Sequence, residues 1–319
     1  MIVNKRIMAK IETFFRLWHT NKRGILSAAF NNLIHLGVFN KMSDKAFLNL
    51  FYKVSFGKGI DWNNPKSFNE KLQWLKLYDD NPVYPIIVDK LEMKKWVSSK
   101  IGEGYTIPTL GIWDTPDEID FESLPNQFVL KWNHDSGSIV VCKDKKTFNK
   151  EKAIKILRRG LKVNGYWYGR ERPYLSVPPK VFAEEYMEDE HTHELRDYKI
   201  FTFDGKAKLL LIASERQKEG VDTKFDFYDL ELNHINMRNQ HENAKIAPEP
   251  PSQFNLMKEL AEKLSQGFIH LRVDFYEVNT KVYIGELTLY HGSGFMTFSP
   301  ESWYLKLGSW INLSSINHN

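Results

Sequence analysis

At 319 residues, 42% hydrophobic and 14% aromatic, the chain suits one large domain or two ordinary ones and is too apolar for a disordered polar segment. Its net charge of +4 is uneven: residues 1–23 hold six basic side chains against Glu12, a local +5 that leaves −1 for the remainder, which argues against a nucleic-acid protein with a broad basic face. The single cysteine, Cys142, excludes an intrachain disulfide, and no apolar run long enough to span a membrane or secretory signal is present, so a cytoplasmic protein is expected.

Residues 5–20 read as a basic amphipathic helix, with Ile7, Ile11, Phe14, Phe15 and Trp18 at helical spacing. Such a helix docks on its own domain or lies on the anionic inner face of a membrane. Ser43-Asp44 caps a helix through Phe47, Leu50 and Phe51. Asn63-Asn64-Pro65 breaks the chain. Ser67 and Glu70 have capping-box spacing and open a helix through Leu72, Leu75 and Leu77. Past Pro82 and Pro85, Asp89 leads a helix carrying Lys90, Lys94 and Lys95. A helical N-terminal region over 1–88 is therefore expected.

From Tyr105 the periodicity changes. Residues 128–132 form a strand, 133–138 (NHDSGS) a loop and 139–142 a second strand. This order can fold backbone amides over phosphates, although Gly-Lys-Ser/Thr of a Walker motif is absent. Lys131 stands just before the loop. Beside a phosphate at an effective dielectric of about 20, its attraction would be roughly 4 kcal/mol. His134, inside the loop, is a candidate for contact with substrate or phosphate. Residues 150–163 read as a basic helix and 166–174 (YWYGRERPY) as a mobile aromatic loop. Strands follow at 181–187, 197–203 and 209–212, then a loop-rich stretch over 214–252 and a helix over 254–267.

The richest stretch is 271–295 (LRVDFYEVNTKVYIGELTLYHGSGF), which reads as a hairpin turning at 277–281. Alternate residues of a strand share a face, so Arg272 and Asp274 point one way on the first strand, as do Glu286 and Thr288 on the second. Two carboxylates on paired strands repel unless a cation lies between them. Mg²⁺ suits the place, since it takes hard oxygen ligands and brings substrate phosphates with it. The Gly-Ser-Gly after His291 supplies amides able to hold an anion.

Six blocks in order, SFNEKLQWLKLYDDNP, VDKLEMKKWVSSKIG, LPNQFVLKWNHDSGSIVVCKDK, VFAEEYM, RDYKIFTFDGK and RVDFYEVNTKVYIGELTLYHGSG, span about residues 67–294. Together they resemble the ATP-grasp enzymes, most closely the teichuronopeptide-biosynthesis (TupA-like) branch. The resemblance implies an α+β ATP-grasp domain over 89–319, with lobes of about 89–185 and 186–319 and ATP between them. It places Lys131, Lys90 and Lys199 on the phosphates and Ser136, Gly137 and Ser138 over them. Lys94 is a weaker phosphate candidate. Glu184, Glu185, Tyr186 and Met187 fall on the adenine hinge, with Glu188 or Glu190 for the ribose. Asp274, Glu286 and Thr288 fall on the metal positions, with Thr288 where the family usually has Asn. Arg272 falls on the arginine that steadies an acyl-phosphate, and His291, Gly292, Ser293 and Gly294 at the acceptor end.

The implied activity is a Mg²⁺-dependent ligase that joins a carboxylate to an amine through an acyl-phosphate. The branch suggests a uronic-acid-type carboxylate of a bacterial surface polysaccharide as one substrate and an amino acid or amine as the other. A glycosyltransferase of the same pathways is an alternative, although no Asp-x-Asp triplet is present, and a sugar or lipid kinase is another.

Overall fold

The computed structural model describes residues 22–135, 137–161, 163–191, 194–215, 221–314 and 316. The basic helix expected over 5–20 lies outside the described residues, as does Ser136. The chain divides into two compact units, one running to Pro65 and including Trp167–Arg170, the other holding Lys66–Tyr166 and Glu171–Asn319.

In the smaller unit, α1 (Lys22–His35) meets α2 (Asp44–Phe56). Phe30, Phe47 and Phe51 are buried between them, and Phe39 stacks on Phe30 with centroids 4.7 Å apart. Helix α2 stops at Gly57, whose φ of 76° ends it in a left-handed cap. The Arg170 guanidinium lies 4.5 Å from the Phe47 ring centroid and donates to Phe39 O at 2.7 Å.

The larger unit starts with α3 (Phe68–Tyr78), and the capping box read from sequence is present: Ser67 N donates to Glu70 Oε2 at 2.9 Å and Glu70 N to Ser67 Oγ at 3.3 Å. A short α4 (Tyr84–Val88) precedes α5 (Lys90–Ile101). The first sheet holds β1 (Thr109–Trp113), β2 (Phe128–Trp132), β3 (Val140–Cys142) and β4 (Val181–Glu185) in the order β1-β4-β2-β3. Its alternate side chains Phe128, Leu130 and Trp132 are fully buried and pack with Leu157 of α6 (Lys150–Gly160). Each contributes about 1.5–3 kcal/mol by leaving water.

The second sheet has six strands. They are β5 (Asp197–Phe203), β6 (Lys206–Ser214), β7 (Lys224–Tyr228), β8 (His234–Ile235), β10 (His270–Val278) and β11 (Lys281–Thr288). Their order is β11-β10-β5-β6-β7-β8, antiparallel throughout. Between β8 and β10 come β9 (Arg238–Asn239) and α7 (Phe254–Leu264). After β11, β12 (Phe298–Ser299) pairs with β9, and α8 (Ser302–Ser309) follows.

Two expectations change here. Residues 214–252 are less irregular than their composition suggests, because β7, β8 and β9 are short and their patterns fall below the length at which alternation shows. The aromatic stretch over 166–174 forms short helical turns, Gly165–Gly169 and Arg172–Ser176, instead of a loop.

His270 illustrates how this core constrains pH. It is 3% exposed, packed on Phe68, Phe201 and Phe203, with Nδ1 2.8 Å from Thr202 O. Burial pushes its imidazole from 6.5 down to about 4. The unfolded chain therefore binds the extra proton first. The stability that neutral His270 contributes is complete above about 6.5 and is lost as pH falls through about 4. Thermal melts of His270→Phe between pH 7 and pH 4 should show a shallower acid loss than the parent.

Candidate active site

The hairpin turns more tightly than its sequence suggests. Only Asn279 and Thr280 lie between β10 and β11, with φ of 50° and 66°, the two positive values that a type I′ turn demands. That turn sets the register. Asp274 faces Glu286 across the pair, and Arg272 faces Thr288. On the other side of β10, Asp274 faces Lys199 of β5. The acidic ledge read from sequence therefore exists, with its counter-charges built in.

Asp274 is 3% exposed and fully engaged. Arg272 grips it with both arms, Nε to Oδ1 at 2.6 Å and Nη2 to Oδ2 at 2.7 Å. Lys199 Nζ donates to Oδ2 as well and also pairs with Asp197 at 3.1 Å. Burial works against the Asp274 charge, but Arg272 and Lys199 outweigh it and hold its carboxyl below the usual range. The Thr288 hydroxyl accepts from Arg272 Nη2 at 2.9 Å. In this structure it supports the arginine.

Lys90 reaches the ledge from the other side. Asp89 caps α5 by accepting from Leu91 N at 2.9 Å, and its second oxygen accepts from Asn133 Nδ2 at 2.9 Å. This ties the helix start to the end of β2. Lys90 Nζ then donates to Asp135 O at 3.0 Å and pairs with Glu286 at 3.4 Å. One turn on, Lys94 pairs with Glu184 at 2.6 Å. Lys131 of β2 meets the other Glu184 oxygen at 2.5 Å. Burial opposes the Glu184 charge, and the two lysines overcome it, keeping its carboxyl below the usual range. Lys94 is thus as central as Lys131, although its sequence context ranked it lower. Helix α5 joins Lys131 to the ledge, one lysine per turn on a single face.

Other expected residues are rearranged. The amides of Gly137 and Ser138 both donate to the Asp135 carboxylate, at 2.9 Å and 3.0 Å, so the loop's own acid takes the position expected for phosphate. His134 is 6% exposed, its ring 5.4 Å from that of Trp132 and its Nε2 buried without a partner. Glu185 N donates to Pro108 O at 3.2 Å, so that amide is already taken. Met187, beside it, packs with Ile107, Leu195, Val278 and Tyr283, an apolar flank next to the hinge. Tyr186 donates its hydroxyl to Glu188, and Glu190 accepts at 3.2 Å from Asn279 Nδ2 at the hairpin turn. His291 is 2% exposed, with Nδ1 2.6 Å from Arg272 Nη1.

A second polar cluster escaped the sequence. Asn69, Gln73 and Lys76 recur at i, i+4 and i+7 on α3, all buried. Asn69 Nδ2 donates to Met296 O at 2.7 Å and Gln73 Nε2 to Gly294 O at 2.9 Å. Lys76 Nζ donates to Ser293 O at 2.8 Å, to Ser293 Oγ at 2.9 Å and to Gln73 Oε1 at 3.0 Å. Gly294 has φ of 67°, and a Cβ there would collide with the Gln73 amide, so the loop needs glycine at this point. Burial pushes the Lys76 ammonium down to about 7, with the neighbouring Glu171 opposing the shift. Burial likewise raises Glu171, against the pull of Lys76 and a hydrogen bond from Ser293. The only hint in the sequence was a lysine and two amides on the helix face that also carries leucines.

The family described as TupA-like ATPgrasp matches residues 70–312, which include every residue of this cluster except Asn69. This chain belongs to that family. Among curated proteins, none matches by sequence. Solved structures similar to this TupA-like chain are ATP-grasp ligases. The D-alanine–D-alanine ligase of Bacillus anthracis, solved with ATP, is 13% identical over 64% of this chain and 54% of its own length, at a TM-score of 0.36. That of Helicobacter pylori is 14% identical over 72% and 59%, at 0.39. The L-amino acid ligase of Bacillus licheniformis is 12% identical over 71% and 47%, at 0.41. The TupA-like chain matches only about half of the length of these structures, and its family assignment stands on the sequence match alone.

Proposed function

We propose that the chain is an ATP-dependent carboxylate–amine ligase. The observation that carries this reading is a set of three ion-paired groups, Lys131 and Lys94 on Glu184, Lys90 on Glu286, and Lys199 and Arg272 on Asp274. Its cations outnumber its carboxylates, which favours a polyanion such as a triphosphate. ATP-grasp ligases use ATP and Mg²⁺. Among the described residues no group of three or more His, Cys, Asp or Glu is placed to hold a metal. The two facing carboxylates fit an ion that takes its other ligands from phosphates and water. Glu286, and Asp274 once Lys199 turns from it to the phosphates, would hold Mg²⁺, which when bound neutralises charge on the phosphates.

In the reaction, a carboxylate oxygen attacks the γ-phosphorus of ATP. That O–P bond forms as the bond to the β–γ bridging oxygen breaks, giving an acyl-phosphate and ADP. The amine nitrogen attacks the acyl carbon, its C–N bond forms, and the C–O bond to phosphate breaks. The nitrogen sheds a proton, leaving an amide and inorganic phosphate. Lys90 and Lys199 hold the phosphates, Lys131 and Lys94 work through Glu184, and Arg272 faces the charge that develops on the acyl oxygen. Gly292, Ser293 and Gly294 bound the acceptor end, and Glu184, the Glu185 carbonyl, Tyr186 and Met187 bound the adenine. The lobes of this reading are about 89–185 and 186–319.

The finer proposal is that the carboxylate belongs to a uronic-acid-type sugar of a bacterial surface polysaccharide and the amine to an amino acid or related compound. No helix among the described residues is long and apolar enough to cross a membrane. Work at the inner face of a membrane through residues 5–20 belongs to the same proposal.

The test is a product assay with ATP, candidate uronates and candidate amines. ADP and phosphate released in equal amounts only when both acceptors are present supports the ligase. ADP without phosphate makes the protein a kinase. UDP released from a UDP-sugar makes it a glycosyltransferase.

A further inference from the structure

We propose that Asn239 and His291 form a positioning relay that fixes the Arg272 guanidinium for its work on the acyl group. The role of Arg272 rests on the ligase reading; the relay itself rests on geometry. Arg272 Nη1 lies 2.6 Å from His291 Nδ1. A guanidinium keeps its protons, so it donates, and Nδ1 presents a lone pair. The neutral ring must then carry its proton on Nε2, which is 3.0 Å from the Asn239 side-chain amide.

A ring N–H needs an acceptor, so we assign the Asn239 amide with Oδ1 and Nδ2 exchanged, which turns the oxygen to His291 in place of the Nδ2 that lies 3.0 Å from Nε2. With Nδ2 toward the ring, Asn239 Oδ1 is a buried oxygen without a partner. The chain of contacts is therefore Asn239 carbonyl, His291 Nε2–H, His291 Nδ1, Arg272 Nη1–H.

Each member is enclosed: Asn239 is 0% exposed, His291 2% and Arg272 8%. Asn239 is anchored through the pairing of β9 with β12, where it faces Phe298. Phe201 walls the His291 ring at 5.0 Å. Asp274 and Thr288 take the donors on Nε and Nη2, so the second Nη1–H is the one that can face the acyl oxygen. The relay thus restrains the one arm that the acidic ledge leaves loose. A guanidinium fixed before the reaction needs no reorganisation when charge appears on the acyl oxygen. Protonating Nδ1 would set donor against donor at Nη1. Burial and the cations Arg272 and Lys199 all disfavour that form.

The experiment is nitrogen-15 NMR on the full chain, labelled at histidine and arginine side chains. The expected result at neutral pH is the Nε2–H tautomer at His291 and a slowly exchanging Arg272 side-chain N–H. An Nδ1–H tautomer or an imidazolium overturns the relay, and this spectrum decides even if a variant does not fold. Asn239→Leu removes the acceptor. It should speed Arg272 exchange and lower kcat for ADP release about tenfold to a hundredfold, with KM for ATP changed less than about twofold. Asn239→Asp keeps an acceptor and should restore the tautomer and most of kcat. Unchanged exchange and kcat in Asn239→Leu overturn the relay. A parent protein that forms no amide with any acceptor pair ends the ligase reading, and the spectra still judge the relay.

Discussion

Asp274→Asn should lower ATP-dependent turnover by about a hundredfold to a thousandfold and lower thermal stability in the same protein. Both effects follow from its place between Arg272 and Lys199. Removing one partner of a buried ion pair leaves the others uncompensated and costs about 3–5 kcal/mol. Asparagine keeps one oxygen for Arg272, so its cost should fall at the low end of that range. Glu286→Gln provides the contrast. Its side chain is 32% exposed, and its pairing with Lys90 at 3.4 Å is loose. Turnover should fall as far as in Asp274→Asn, while the melting temperature stays close to that of the parent. Steady-state ADP release and urea denaturation, run on both variants, check the pair of expectations. Full activity in Glu286→Gln would remove the acidic ledge from the mechanism.

The second large effect is expected at Lys76. Lys76→Met leaves Glu171 without its cation and removes the ammonium that donates to Ser293 O and Ser293 Oγ. The expected loss of stability is about 3–5 kcal/mol. A double variant, Lys76→Met with Glu171→Gln, should recover much of that loss and remain inactive, because the loop at the acceptor end has lost its anchor. The double-mutant cycle measures the coupling between the two residues.

The sign of the pH dependence can be worked out from the same pair. Lys76 titrates near 7 in the fold and at 10.5 when free, so the unfolded chain binds more protons between those values. Stability linked to Lys76 rises with pH over that window and is lost as pH falls through about 7. Glu171 is raised in the fold, so its contribution is present below 4.5 and is lost as pH climbs through its higher folded value. Both acts of burial therefore weigh on stability near neutrality. In the double variant the pH profile of the melting temperature should flatten around pH 7. An unchanged profile would mean that the pair is not strained.

The reading of local pattern went far on this chain. Alternation placed Arg272 with Asp274 and Glu286 with Thr288, and the register of β10 and β11 brings those pairs together. The capping box at Ser67 and the helix led by Asp89 are present where spacing put them. These features depend on neighbours within a few residues, where propensity and periodicity act directly.

What the sequence by itself determined, then, is the family, the hairpin with its two carboxylates, and the identity of the lysines around them. Only the tertiary structure decided which cation meets which acid: Lys94 with Glu184, Lys90 with Glu286, and Lys199 with Arg272 on Asp274. It also buried His134 and His291 and brought in Lys76, Glu171 and Asn239. The physical reason is separation along the chain. Asn239 lies 52 residues from His291, and Lys76 lies 217 from Ser293. Burial and partner choice at that range are set by how sheets and helices pack, which no local periodicity encodes.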